Sequence, residues 1–302
     1  MPRHPDGRLK LLAALDALNQ DSPLELSVIP TFVFSGTRED DVREMLVGIK
    51  EMGLIPEVII MVNGANPMLP GEEDQFVEIA TGILNIAKSL KVEYITSTTF
   101  EPWMDHAPEK TGEEYAAAVA QLVKVHQRLY REANLANSAI KSWNLEFLRP
   151  VEFSTFTNIR RSWDVVQKLN QSIGTNFFRV LVDASHCGDS GMTVEENQSV
   201  IREIALADAL GAFHASSKTT RGCLTTDEGW INALLTTCLE TGKLETVIVE
   251  AFDHTDEGLQ PLRDAVEGHG VDTTKGRTYD QLIYDGLVIV NSRIKELTTF
   301  GA

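Results

Sequence analysis

Four segments of this chain end an apolar run on a carboxylate or an imidazole. W-N-L-E reaches Glu146, V-L-V-D-A-S-H reaches Asp183 and then His186, G-A-F-H reaches His214, and T-V-I-V-E reaches Glu250. The separations are 183 − 146 = 37, 214 − 183 = 31 and 250 − 214 = 36 residues. Each is the length of one strand plus one crossover helix, roughly 30 residues or more. Carboxylates with a neutral imidazole suit a hard or borderline divalent ion such as Mn²⁺, Mg²⁺ or Co²⁺, because oxygen donors dominate and thiolate is absent from the set. One Glu at a strand end is ordinarily a solvated loop residue, and one His beside an apolar strand is ordinarily hydrogen-bonded core. Glu146, Asp183, His214 and Glu250, recurring at strand ends, form a candidate metal centre instead.

Donors can converge from successive strand ends only if the strands are parallel and their C-terminal ends share one face, which is what an α/β barrel provides. The chain of 302 residues is expected to be a single (β/α)8 TIM-barrel domain over 1–302, since no linker or low-complexity segment divides it. Seven strands are expected, starting near residues 24, 56, 92, 140, 177, 211 and 246, with the eighth short, irregular or missing at the N-terminal end. The first strand is read as 24–32, ended by Pro30. An amphipathic helix is expected over 8–19 and a last helix over 279–297. Capping signals are read at Thr37 with Asp40, Thr111 with Glu114, and Thr193 with Glu196. His126, within the long helix that Thr111 opens, is expected at the surface or half-buried.

Composition removes several classes. The hydrophobic fraction of 43% and charged fraction of 24% are those of a globular protein. No run approaches the roughly 18 apolar residues of a membrane span, and no signal peptide is read at the N-terminus. Lys and Arg number 27 against 44 Asp and Glu, a net charge of −17 that repels phosphate backbones, so nucleic acid is excluded as a partner. Cys187, Cys223 and Cys238 show no C-x-x-C spacing and suit a reducing cytoplasm.

The order Glu146, Asp183-x-x-His186, His214, Glu250 resembles the xylose-isomerase-like family of α/β barrels, and within it the D-tagatose and D-psicose 3-epimerase group. The N-terminal third of the chain carries little of the likeness. The resemblance implies one divalent ion, Mn²⁺ foremost, held by Glu146, Asp183, His214 and Glu250, with Glu146 and Glu250 also acting as the two acid/base groups. It implies that Glu152, His186 and Arg221 bind the sugar, with Lys218 a rival for the task of Arg221. His186 could ligate beside Asp183, but a hydrogen bond to substrate is the reading adopted. Trp103 and His106, in the loop after the third strand, either line the pocket or pack on their own barrel.

The implied activity is that of a metal-dependent sugar isomerase or epimerase acting through a metal-stabilised enediolate, foremost a ketose 3-epimerase. Removing a proton beside a carbonyl needs that charge stabilised, and two carboxylates on opposite faces of the carbon can remove and return it with inversion. An inosose-dehydratase-like lyase or an aldose–ketose isomerase would use the same ligands. An endonuclease IV-type phosphodiesterase would need further histidines and a basic surface, and the chain has seven histidines in all. A non-catalytic sugar-binding barrel would tolerate loss of a ligand, whereas all four are present. The expected partner is a small sugar or polyol, and a homo-oligomer is compatible with it.

Overall fold

Apolar strands alternate with amphipathic helices through the whole computed structural model, which describes residues 1–21, 26–69, 71–218 and 229–300. The order is α1 (Lys10–Asp21), β1 (Val28–Phe34), α2 (Glu39–Glu51), β2 (Ile55–Met61), α3 (Glu73–Ser89), β3 (Tyr94–Thr98), α4 (Gly112–Glu132), β4 (Ser142–Glu146), α5 (Ile159–Ile173) and β5 (Phe178–Asp183). There follow α6 (Ala184–Asp189), α7 (Val194–Leu206), β6 (Leu210–Ala215), α8 (Trp230–Glu240), β7 (Thr246–Val249), α9 (Gln260–Ala265) and α10 (Tyr279–Phe300). The strands form a seven-stranded sheet in sequence order. The pairs β1–β2, β2–β3, β5–β6 and β6–β7 are parallel. All residues of β4 and β6 are buried, and β6, L-G-A-F-H-A, accordingly reads as a near-continuous apolar run. Among the described residues the sheet has the seven expected strands, a parallel α/β sheet with helices, and an eighth strand is not among them.

By contact density the chain divides into two compact units interleaved in sequence, residues 1–101, 111–145 and 167–178 in the first and 102–110, 146–166 and 179–302 in the second. The first unit centres on an aromatic cluster. Phe100 lies edge-on to Phe76 at 4.8 Å, and Trp143 tilts against Phe178 at 5.6 Å while its indole N–H donates to Ser97 Oγ at 2.9 Å. His126 stands among them, fully buried, its Nδ1 2.8 Å from Leu122 O, which corrects its expected surface or half-buried placement. The physical reason is the helical stripe of Val119, Leu122, His126 and Leu129, which buries whatever occupies its face.

Other local expectations divide. Pro30 lies inside β1, opposite Glu57, and does not end it; residues 24 and 25 of the expected strand lie outside the described residues. Ile55 N–H donates to Ser27 O and Ser35 N–H to Met61 O, so odd-numbered residues of β1 face β2. Pro30, an even one at the end of the sheet order, therefore costs the ladder no donor. Arg38, not Thr37, precedes α2, and Thr111 precedes α4 without a side-chain cap. Thr193 and Glu196 make a complete capping box at α7. Cys187 and Cys238 are buried free thiols, and Cys223 lies outside the described residues. No helix among the described residues is long and apolar enough to cross a membrane.

Candidate metal centre

The second unit contains every described residue of the candidate site. Glu146 is the last residue of β4, Asp183 the last of β5, His214 the penultimate of β6, and Glu250 the residue after β7. One irregularity brings two of them side by side. Val180 pairs with Leu210, an offset of 210 − 180 = 30, but Val182 pairs with Phe213, an offset of 213 − 182 = 31. The extra residue in β6 puts His214, in place of Phe213, opposite Asp183. Because side chains alternate faces along a strand, a bulge of one residue decides which of two neighbours meets the partner's side chain. Glu250 continues the ladder, its N–H donating to Ala215 O at 3.2 Å.

Glu146, Asp183, His214 and Glu250 each offer one donor atom, and these four atoms lie within 4.8 Å of one another. His214 Nδ1 is 3.4 Å from Glu250 Oε1, 3.6 Å from Glu146 Oε1 and 3.8 Å from Asp183 Oδ2. These are the spacings of donors around a cation rather than of hydrogen-bonded pairs. An octahedral ion with bonds of about 2.1 Å sets neighbouring donors about 3 Å apart and opposite ones about 4.2 Å apart. Both ring nitrogens of His214 are buried and make no hydrogen bond among the described residues. Burial by itself lowers the His214 pKa, but Glu250, Glu146 and Asp183 outweigh it and raise the value to about 10. The charge those carboxylates place on a proton is available equally to a metal ion, so the donor set fits a divalent cation.

Asp183 is fixed by its own chain. Its Oδ1 caps α6, accepting the His186 N–H at 2.8 Å, while Oδ2 faces His214. His186, fully buried, holds Nε2 3.4 Å from Glu146 Oε1 and Nδ1 3.9 Å from Glu152 Oε2, between the two glutamates. Glu152 accepts from Arg149 Nε at 2.9 Å and from the Trp103 indole at 3.2 Å, and its carbonyl takes the Met104 N–H at 2.7 Å. Trp103, though itself exposed, is thus tethered beside the site by its indole N–H; His106 is exposed as well. Arg221 lies outside the described residues, and Lys218 stands over the Trp230 ring, 5.9 Å from its centre.

Sequence reasoning missed the half-buried Asp189 and the buried His269 as partners of the buried Arg149. Its Nη1 donates to Asp189 Oδ2 at 3.1 Å and its Nη2 to His269 Nδ1 at 2.9 Å. The available signals were the spacing of Arg149 and Glu152, and a histidine set between two glycines at 268–270.

No protein-family model matches the chain, and no curated protein does. Solved structures do. An L-ribulose 3-epimerase superposes with a TM-score of 0.72 at 15% identity, over 96% of this chain and 91% of that one. A D-psicose 3-epimerase from Clostridium cellulolyticum H10, solved with D-tagatose, superposes with a TM-score of 0.67 at 14% identity, over 94% and 92%. The chain has the fold of the ketose 3-epimerases. That fold is TIM-barrel-like, and its reach in chemistry is wider than one carbon position. A 3-keto-D-glucoside 4-epimerase from E. coli also shares it, with a TM-score of 0.58 at 13% identity, over 84% and 85%.

Proposed function

We propose that this protein is a divalent-metal-dependent sugar isomerase or epimerase, foremost a ketose 3-epimerase, built as a single (β/α)8-type domain. The observation that carries the reading is the convergence of Glu146, Asp183, His214 and Glu250 from four successive strand ends to within 4.8 Å. The ketose 3-epimerase fold supports it independently of those residues. The four would hold the ion, Mn²⁺ in the first instance and Mg²⁺ or Co²⁺ otherwise. When bound, the ion supplies Lewis-acid polarisation of neighbouring sugar oxygens.

The chain's own groups do the rest. Glu146 and Glu250 remove and return the proton on the carbon beside the carbonyl, each from its own face, so the centre inverts. His186, between Glu146 and Glu152, hydrogen-bonds the sugar near the carbonyl, and Glu152 orients that end with the Trp103 loop attached to it. Arg221 is assigned to the same end. Asp183, His186 and His214 are buried, so the charge interactions among them are weakly screened. The substrate is a free sugar or polyol and the compartment the cytoplasm.

The test is to incubate the Mn²⁺-loaded protein with a panel of ketoses, aldoses and inososes and follow products by NMR. Interconversion of a ketose pair differing at C3 is expected. Action on an inosose alone, with loss of water, would replace this reading with a lyase.

A further inference from the structure

The backbone that follows Glu250 is pinned by a second segment. Val271 N–H donates to Phe252 O at 2.8 Å and His254 N–H to Val271 O at 3.1 Å. Gly270 sits at φ +81°, and a Cβ there would meet the His254 backbone at 2.9 Å, so 269–271 lies directly on 252–254. Only glycine combines that conformation with that approach. Tyr279 adds a hydrogen bond from its hydroxyl to Ala251 O at 3.0 Å.

From this pinned segment His269 turns inward. Its ring is buried, inclined 32° to Phe252 at 5.9 Å between centres, and its Nδ1 receives Arg149 Nη2 at 2.9 Å. Arg149, itself buried, donates also to Glu152 at 2.9 Å and to Asp189 at 3.1 Å. A guanidinium has donors only and keeps its charge, so the atom facing it must carry a lone pair. His269 is therefore assigned as the neutral tautomer with its proton on Nε2. A continuous line of contacts thus joins the chain behind Glu250 to Glu152, and to the end of the short helix that Asp183 opens.

We infer that His269 and Arg149 are positioning residues that strap the segment after Glu250 to the segment bearing Glu152, and so fix the width across which a substrate is held. The inference rests on the sugar-site reading above and adds to it two residues outside the four candidate metal donors. What the strap needs at position 269 is a small acceptor at the δ position. Asparagine keeps one, while leucine has the same shape without it. Losing it leaves a buried charged donor of Arg149 unpaired, a loss expected to open the strap about tenfold more often or more.

The experiment compares His269→Asn with His269→Leu in the Mn²⁺-loaded full-length protein. Hydrogen exchange by mass spectrometry is expected to quicken by about tenfold or more in the Leu variant at peptides holding Met104, His254 and Val271, with α4 unchanged, and to stay near wild type in the Asn variant. In turnover, KM should rise by about tenfold in the Leu variant with kcat within about threefold, and the Asn variant should recover. Wild-type exchange in the Leu variant overturns the strap. An Asn variant as loose as Leu overturns the acceptor argument, and quickened exchange with unchanged KM overturns the positioning role. A wild-type protein that turns over no sugar, combined with quickened exchange in the Leu variant, overturns the sugar-site reading and leaves the strap standing. Should the Leu variant not fold, Arg149→Lys, which keeps the charge but loses the three-way fork, carries the same comparison.

Discussion

Lowering the pH from neutrality forces a charge into the first unit's aromatic core. His126 is fully buried, with Phe100, Trp143 and Phe178 ring centres at 5.1, 5.6 and 5.8 Å. Burial lowers its pKa from the ordinary 6.5 to about 4, against the small opposing pull of the Leu122 carbonyl. The unfolded chain therefore takes up the proton first, and by linkage stability falls as pH falls. The loss begins near pH 6.5 and is complete below about pH 4. At about 1.4 kcal/mol per pH unit, the interval between those values amounts to about 3 kcal/mol. Other groups titrate in the same range, so the assay is a difference: urea unfolding of wild type and of His126→Phe, followed by tryptophan fluorescence at a series of pH values. The stability gap between the two proteins should shift by about 3 kcal/mol against wild type between pH 7.5 and pH 4. Parallel curves would refute the reasoning, since they would mean that the ring either meets water or keeps an ordinary pKa.

Three further outcomes are expected. Asp183→Asn and His214→Ala should each weaken Mn²⁺ binding by roughly 100-fold or more in a calorimetric titration, since each removes a direct donor; unchanged affinity in both would end the metal assignment. Glu146→Gln and Glu250→Gln should each cut kcat by about 100-fold or more with circular dichroism unchanged, and near-wild-type kcat at equal metal occupancy in either would end the two-base scheme. Thr193→Ala removes a side-chain cap that accepts from Glu196 N–H, and should cost about 1 kcal/mol in thermal or urea unfolding.

The parts of the fold written in short-range pattern were legible. Buried parallel strands show as apolar runs, and the carboxylates and imidazole that end them mark the sheet's C-terminal edge, so the strand count and the convergence of Glu146, Asp183, His214 and Glu250 could be read directly. Thr193 with Glu196 was legible because both halves of the capping box lie on one turn. Thr111 failed because its similar spacing says nothing of whether the side chain turns back onto the helix. His126 shows periodicity and residue chemistry in conflict: its helical position demanded burial, and periodicity decided. The bulge that sets His214 opposite Asp183 left no trace except a spacing one residue longer than the pairing at Val180 and Leu210. Long-range contacts were the least visible. Arg149 and His269 are 120 positions apart and meet only because 269–271 folds back on 252–254.

The fate of one proton separates a two-carboxylate inversion from the other reactions this site could perform. The Mn²⁺-loaded protein should be incubated with its ketose substrate in D₂O and the epimer analysed by NMR for deuterium at the inverted carbon. The carboxylate that delivers a proton is not the one that removed it, and each exchanges with solvent between turnovers, so the inverted centre should carry deuterium. Inversion with no deuterium incorporated would contradict the two-carboxylate mechanism.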